Sequence, residues 1–166
     1  MLYDVWRSVA SRSPSDRALV DSASGRVWTF RELRDWSDGA HAPEGAVVHP
    51  VGNGAEFVLE VLRGWRHGRV VCPLEPGQAP PAPGPLPAGC AHLKSTSATT
   101  GMARWVVFTA EQLAADPAQL VRSMGLRPDW PNLGVISLAH SYGFSSLVLP
   151  LLLHGIPLVL VRSALP

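Results

Sequence analysis

The order of apolar and polar positions predicts an alternation of short helices and strands. Residues 2–11 place Leu2, Val5, Trp6 and Val9 on one face of a helix. Arg17–Asp21 and Arg26–Trp28 read as two strands joined by a Ser-Gly turn. Thr29 opens a helix, with Glu32 three positions on as its capping-box partner. Ala46–His49 reads as a strand. Asn53 opens the next helix with Glu56 in the capping position, and Gly68 follows its end. Arg69–Cys72 is a further strand, closed by Pro73.

From Pro73 to Gly89 seven prolines fall within seventeen residues without any period, which predicts an extended connector. Beyond it come a polar loop (Ser95–Ala103), a strand (Arg104–Phe108) and a helix from Thr109 to about Met124, with Gln112 completing a second capping box. A strand (Leu133–Leu138), a helix (Phe144–His154) and a strand (Leu158–Val161) complete the pattern. This alternation implies an α/β fold: a parallel or mixed sheet with helices on both faces. Three segments follow, 1–72, a Pro-rich connector at 73–93, and 94–166. Leu158–Val161 is apolar throughout, as in a strand buried on both faces. So apolar a strand at the chain's end is expected to need a neighbour, from a continuing chain, a partner chain or a second copy.

Composition narrows the classes. The 166 residues are 46% hydrophobic and 16% charged, which excludes a disordered polyelectrolyte. Fourteen basic and thirteen acidic residues leave a net charge of +1, so nothing global favours a nucleic-acid partner. Cys72 and Cys90 stand apart and read as reduced, cytoplasmic thiols, and the six histidines form no zinc-binding spacing. Phe144–Val161 is interrupted by Pro150, His154, Gly155 and Pro157, whereas a membrane-spanning helix needs about 20 apolar residues in succession.

Two segments carry chemistry. In Lys94-Ser-Thr-Ser-Ala-Thr-Thr-Gly-Met-Ala-Arg104, small hydroxyl residues precede a glycine and a cation. Such a loop can wrap an oxyanion with N–H and O–H donors, Gly101 freeing the turn and Arg104 gripping two oxygens. It is not a Walker A loop, because Leu93 and not Gly precedes Lys94. The same composition also fits a solvated linker. In the second segment, Ser137-Leu-Ala-His-Ser-Tyr-Gly-Phe144, His140 and Tyr142 follow a predicted strand and precede a helix, the edge where open α/β sheets bind ligands. Either side chain could equally be a packing or surface residue.

Together these residues resemble the AMP-forming acyl-CoA synthetases and adenylation domains, the adenylate-forming superfamily. Thr96-Ser-Ala-Thr-Thr-Gly-Met-Ala-Arg104 resembles that family's phosphate signature TSGTTGxPK. Trp28-Thr-Phe-Arg-Glu-Leu33 is similar to its TYxEL motif. Glu56-Phe-Val and Gly64 through Leu74 are similar to its "efv…lkaGavyvPl" segment, and His140-Ser-Tyr-Gly143 to its HxYG motif. The order of the four is the family's own. The resemblance implies the incomplete N-terminal subdomain of an enzyme that condenses a small carboxylic acid with ATP to acyl-AMP, then passes the acyl group to CoA or to a phosphopantetheinyl carrier thiol. It implies that Thr96, Ser97, Ala98, Thr99, Thr100, Gly101 and Arg104 hold the nucleotide's phosphates, with Thr96 meeting Mg²⁺. His140 and Arg104 are implied as catalytic, and His140, Tyr142 and Gly143 as binding the acid, an aryl or medium acyl group suiting Tyr142.

Three departures qualify it. Ala98 replaces the loop's central glycine, Ala103 and Arg104 replace its Pro and Lys, and Glu75–Leu93 is short, as if a βα unit were lost. The family's adenine-binding strand, ribose-binding Asp and C-terminal catalytic Lys have no counterpart. The isolated chain is therefore expected to be inactive. Two other readings remain open: a reduced, non-catalytic module that binds a small ligand or a protein partner, and an unrelated small phosphate-binding hydrolase.

Overall fold

The computed structural model describes residues 1–80, 84–95 and 105–161. The first predicted elements form as their patterns require. Helix α1 (Leu2–Arg12) buries Leu2, Trp6 and Val9, and β1 (Arg17–Asp21) and β2 (Arg26–Thr29) form an antiparallel pair. Helix α2 (Phe30–Gly39) starts at a complete capping box: Thr29 Oγ1 accepts from Glu32 N at 3.2 Å, and Glu32 Oε2 accepts from Thr29 N at 2.7 Å. The same device opens α4 (Ala110–Met124) with Thr109 and Gln112. Each box satisfies N–H groups that would otherwise lack a partner at the helix start.

Between them lie β3 (Val47–Val48), α3 (Ala55–Arg66), β4 (Val70–Val71), β5 (Cys90–Ser95) and β6 (Trp105–Thr109). Then come β7 (Asn132–Gly134), α5 (Ser141–Gly143), a π-helical turn (Phe144–Val148), α6 (Leu149–His154) and β8 (Leu158–Leu160). The strands make two mixed four-stranded sheets, in the orders β2-β1-β8-β7 and β3-β4-β5-β6. The main core runs from Leu19, Leu158 and Leu160 of the first sheet, through Trp6, Leu62, Leu149 and Leu152 of the helices, to Val48 and Val71 of the second. On the other face of that second sheet, Val70, Cys72, Leu74 and Leu93 form a smaller cluster against Leu86.

Four expectations need correction. β8 is not an uncovered strand: it lies between β1 and β7 and pairs in parallel with both. Its apolar sequence is explained inside this chain, so it gives no reason to invoke a partner or second copy. β5 begins at Cys90, within the stretch read as connector, because alternation there was masked by the surrounding prolines. Only Asn132–Gly134 of the strand expected to reach Leu138 is paired. Finally, Gly54 and not Asn53 stands at the N-cap of α3.

Helix α3 approaches the second sheet through Gly64. A Cβ there would lie 2.5 Å from Val48 Cγ2 and 3.0 Å from Val71 Cγ2, both fully packed. Alanine's higher helix propensity would favour substitution by about 1 kcal/mol, but overpacking of this kind costs about 1–3 kcal/mol. Gly64→Ala is therefore expected to lower stability by about 1–2 kcal/mol. A denaturant midpoint at or above wild type would show that the helix can lift from the sheet without cost.

Candidate functional site

The segment around His140 is built from three distant parts of the chain. After β7 the backbone leaves the sheet, and its N–H and C=O groups need other partners. Asn53 Oδ1 accepts from Leu138 N at 2.8 Å. Ser137 Oγ donates to the Glu75 carboxylate, with Oε1 and Oε2 at 2.8 and 2.9 Å, and itself accepts from Ala139 N at 3.2 Å. Asn53 thus holds the loop before His140 where sequence suggested a helix cap, and Glu75 pins the same loop from the segment after β4, next to Leu74, which bridges to Val51.

His140 is exposed and forms the N-cap of α5, its Nδ1 accepting from Tyr142 N at 3.2 Å. With Nδ1 accepting, the ring's N–H donor in that tautomer is Nε2. Gly143 is buried under the turn. A Cβ there would overlap the carbonyl oxygen of Ser137 and stand 2.9 Å from its carbonyl carbon. Its backbone φ is −64°, so any residue could adopt the conformation, and the requirement is one of space.

The helix that follows is irregular for a local reason. Pro150 has no N–H for the carbonyl of Ser146, and its ring crowds that carbonyl. The π-helical turn Phe144–Val148 absorbs the clash, and Asn132 Nδ2 donates to Ser146 O at 3.3 Å in place of the missing backbone donor. Tyr142, more than half exposed, stands over a cavity of about 230 Å³ whose walls include Leu126, Leu133, Val135, Ile136 and Leu147. No charged side chain lines that cavity among the described residues.

Strand β5 runs alongside this turn. Its alternate residues His92 and Lys94 face the same way and touch it at two points. The His92 ring lies 4.4 Å from the Phe144 ring and 6.0 Å from Phe108. It is wholly buried, and neither ring nitrogen has a hydrogen-bond partner among the described residues. Burial, with a contribution from the Lys94 charge, pushes its pKa down to about 3. Lys94 Nζ donates to Ser141 Oγ at 2.9 Å and to Ser141 O at 3.4 Å. The strand then leads directly into residues 96–104, with Ser95 and Trp105 opposed on β5 and β6.

Of the residues singled out in the sequence, His140, Tyr142 and Gly143 therefore form one turn at the end of β5. Thr96, Ser97, Ala98, Thr99, Thr100, Gly101 and Arg104 lie outside the described residues. Sequence reasoning passed over Glu75, His92 and Lys94. Only Lys94 left a signal, as a charge at the head of a hydroxyl-rich run. Among the described residues no three His, Cys, Asp or Glu side chains gather to hold a metal ion, and no helix is long and apolar enough to cross a membrane.

In sequence the chain matches no protein-family model and no curated protein. In structure it is similar to the N-terminal domain of FACL13 from Mycobacterium tuberculosis, with a TM-score of 0.79 and 14% identity over 98% of this chain and 57% of that one. It is similar to the o-succinylbenzoate CoA synthetase MenE of Bacillus subtilis bound to the acyl-adenylate OSB-AMP (TM-score 0.78, 17% identity, 96% and 56% covered). A third likeness is to the N-terminal subdomain of Klebsiella oxytoca NpsA bound to anthranilyl-AMSN (TM-score 0.75, 16% identity, 99% and 55% covered). The chain spans a little over half the length of each. These likenesses rest on shape, and they give the two-sheet α/β architecture described above, from β1 through β8, as the fold of the N-terminal parts of adenylate-forming enzymes.

Proposed function

We propose that this chain is the N-terminal part of an AMP-forming ligase that activates a small carboxylic acid with ATP. The observation that carries the reading is the Lys94–Ser141 contact, which holds the His140 turn against the strand leading into Thr96–Arg104. That contact supports the reading because the sequence runs on from Lys94 straight into the hydroxyl-rich motif, on a fold shared with proteins solved with OSB-AMP or anthranilyl-AMSN.

In the proposed reaction a carboxylate oxygen of the acid bonds to the α-phosphorus of ATP, and the bond from that phosphorus to the pyrophosphate oxygen breaks. Catalysis then consists of alignment and of absorbing charge on the leaving group. Hydroxyls of Thr96, Ser97, Thr99 and Thr100 and the Gly101 N–H serve the β- and γ-phosphates, and Arg104 takes up the negative charge of departing pyrophosphate. Mg²⁺, arriving with the nucleotide's phosphates, would meet the Thr96 hydroxyl. His140, exposed at the turn and accepting through Nδ1, offers its Nε2–H to an oxygen of the acid or the nucleotide. The uncharged cavity beneath Tyr142 suits an apolar acyl or aryl group, since burying a charge there without a counter-ion would be costly. In the second half-reaction a CoA or carrier thiolate attacks the acyl carbon and AMP departs.

The test is pyrophosphate exchange into ATP by the full natural polypeptide across a panel of carboxylic acids. Acid-dependent exchange is expected, and Thr99→Ala or Arg104→Ala should reduce it about 10²-fold or more, as removal of one oxyanion donor does elsewhere. No exchange with any acid, alongside saturable AMP binding, would favour the non-catalytic module, which Ala98 in the motif's glycine position already supports.

A further inference from the structure

Lys94 is a half-buried cation whose nearest partners are all neutral. Its ammonium reaches the hydroxyl and carbonyl of Ser141 and lies 4.9 Å from the centre of the Phe108 ring. No carboxylate is within ion-pairing distance of it among the described residues; Asp116 of α4 acts on it only through space. Burial accordingly pulls its pKa down, with Asp116 opposing the shift. Buried or half-buried charges are ordinarily paired, and two neutral oxygens and a ring face replace hydration only in part. An ammonium has three donors, and the contacts to Ser141 engage two of them.

We propose that Lys94 binds an oxyanion of the ligand, a carboxylate or phosphate oxygen, at the junction between β5 and the His140 turn. This rests on the ligase reading for its choice of ligand, though not for the charge argument itself. Two contacts position Lys94 for the role: His92, on the same face of β5, packs on Phe144, and the ammonium itself is held on Ser141, the residue that follows His140. An oxyanion here would gain a charge-assisted hydrogen bond, shorter and stronger than a neutral one.

The experiment titrates benzoate and AMP separately into the full natural polypeptide and its Lys94→Met and Lys94→Arg variants, with the Lys94 Cε resonance followed by NMR in wild type. Lys94→Met is expected to weaken at least one probe roughly ten- to a hundredfold, as loss of a hydrogen bond to a charged group does, with Lys94→Arg retaining most of the affinity. In wild type, the same probe should move the Lys94 titration to higher pH, a readout independent of whether either variant folds well. Loss for benzoate alone identifies the carboxylate as the source, and loss for AMP alone the phosphate. Equal affinities in wild type and Lys94→Met, an unmoved Lys94 titration, or no binding of either probe would overturn the proposal. Lys94-dependent binding without any pyrophosphate exchange would sink only the ligase reading, and exchange with a Lys94-independent KM for both substrates only this one.

Discussion

Gly143→Ala should destabilise the protein by about 3 kcal/mol and abolish ligand binding at the His140 turn, although alanine is the better helix former by about 1 kcal/mol. The sign is decided by what a Cβ would meet. At Gly143 it would overlap the Ser137 carbonyl oxygen and press on its carbon, which are backbone atoms that no rotamer change can remove. Ser137 cannot retreat, because its hydroxyl is bonded to Glu75 and the next residue's N–H to Asn53. Relief would have to come from the turn itself, moving His140 and Tyr142 away from β5 and breaking the Lys94–Ser141 contacts. Gly39, the last residue of α2, is the control: a Cβ there meets nothing within 4 Å, so Gly39→Ala should be neutral or slightly stabilising. Urea denaturation of both variants, with a nucleotide titration of each, checks the pair. A Gly143→Ala protein with wild-type midpoint and affinity would mean that the tight packing of the turn does not hold the site.

How much of this was legible in the sequence depended on the range over which each element is stabilised. Thr29–Glu32 and Thr109–Gln112 satisfy their helix starts within four residues, and both boxes formed as the local pattern required. β8 was legible as a buried strand but not as a central one. Its neighbours β1 and β7 lie far apart in sequence, and parallel pairing leaves no local mark that would say which strands flank it. The π-helical turn had a visible cause in Pro150, yet its remedy, Asn132 donating to Ser146 O, comes from another element. The candidate site divided in the same way. His140 and Gly143 belong to a contiguous motif, whereas Glu75 and Asn53 act on Ser137 and Leu138 across 62 and 85 residues of chain. Asn53 was read as a cap because a polar residue before an apolar run usually is one; here Gly54 took the cap position and freed its side chain for the loop.

The second large effect is acid lability set by His92. A histidine in unfolded chain takes up a proton near pH 6.5, whereas His92, buried between Phe108 and Phe144 with Lys94 two residues along the same strand, does so only at about pH 3. Above pH 6.5 both states are neutral at this ring, and it contributes nothing to pH dependence. Below it the unfolded state binds the proton that the native state refuses, so stability falls with pH until about pH 3, where the native ring titrates too. Each pH unit in that window costs up to about 1.4 kcal/mol, or about 2 kcal/mol by pH 5, against a total of about 5–15 kcal/mol for a typical domain. The exposed carboxylates whose pKa values are lowered, such as Glu32, add to the loss only at pH values below their ordinary range. His154, half-buried near Arg12, shifts in the same direction as His92 and steepens the same window. His92→Leu removes the titrating ring while keeping an apolar side chain of similar size. Whatever it does to absolute stability, the slope of unfolding free energy between pH 6.5 and 5 should become markedly shallower than in wild type. Parallel pH curves for the two proteins would mean that the native ring does accept a proton in this range, which would require a hydrogen-bonding partner that the packing of β5 against Phe144 does not supply. Lys94→Met offers a check on the same term from the other side: with the neighbouring charge gone the native ring should protonate more readily, and the acid side of the curve should flatten slightly.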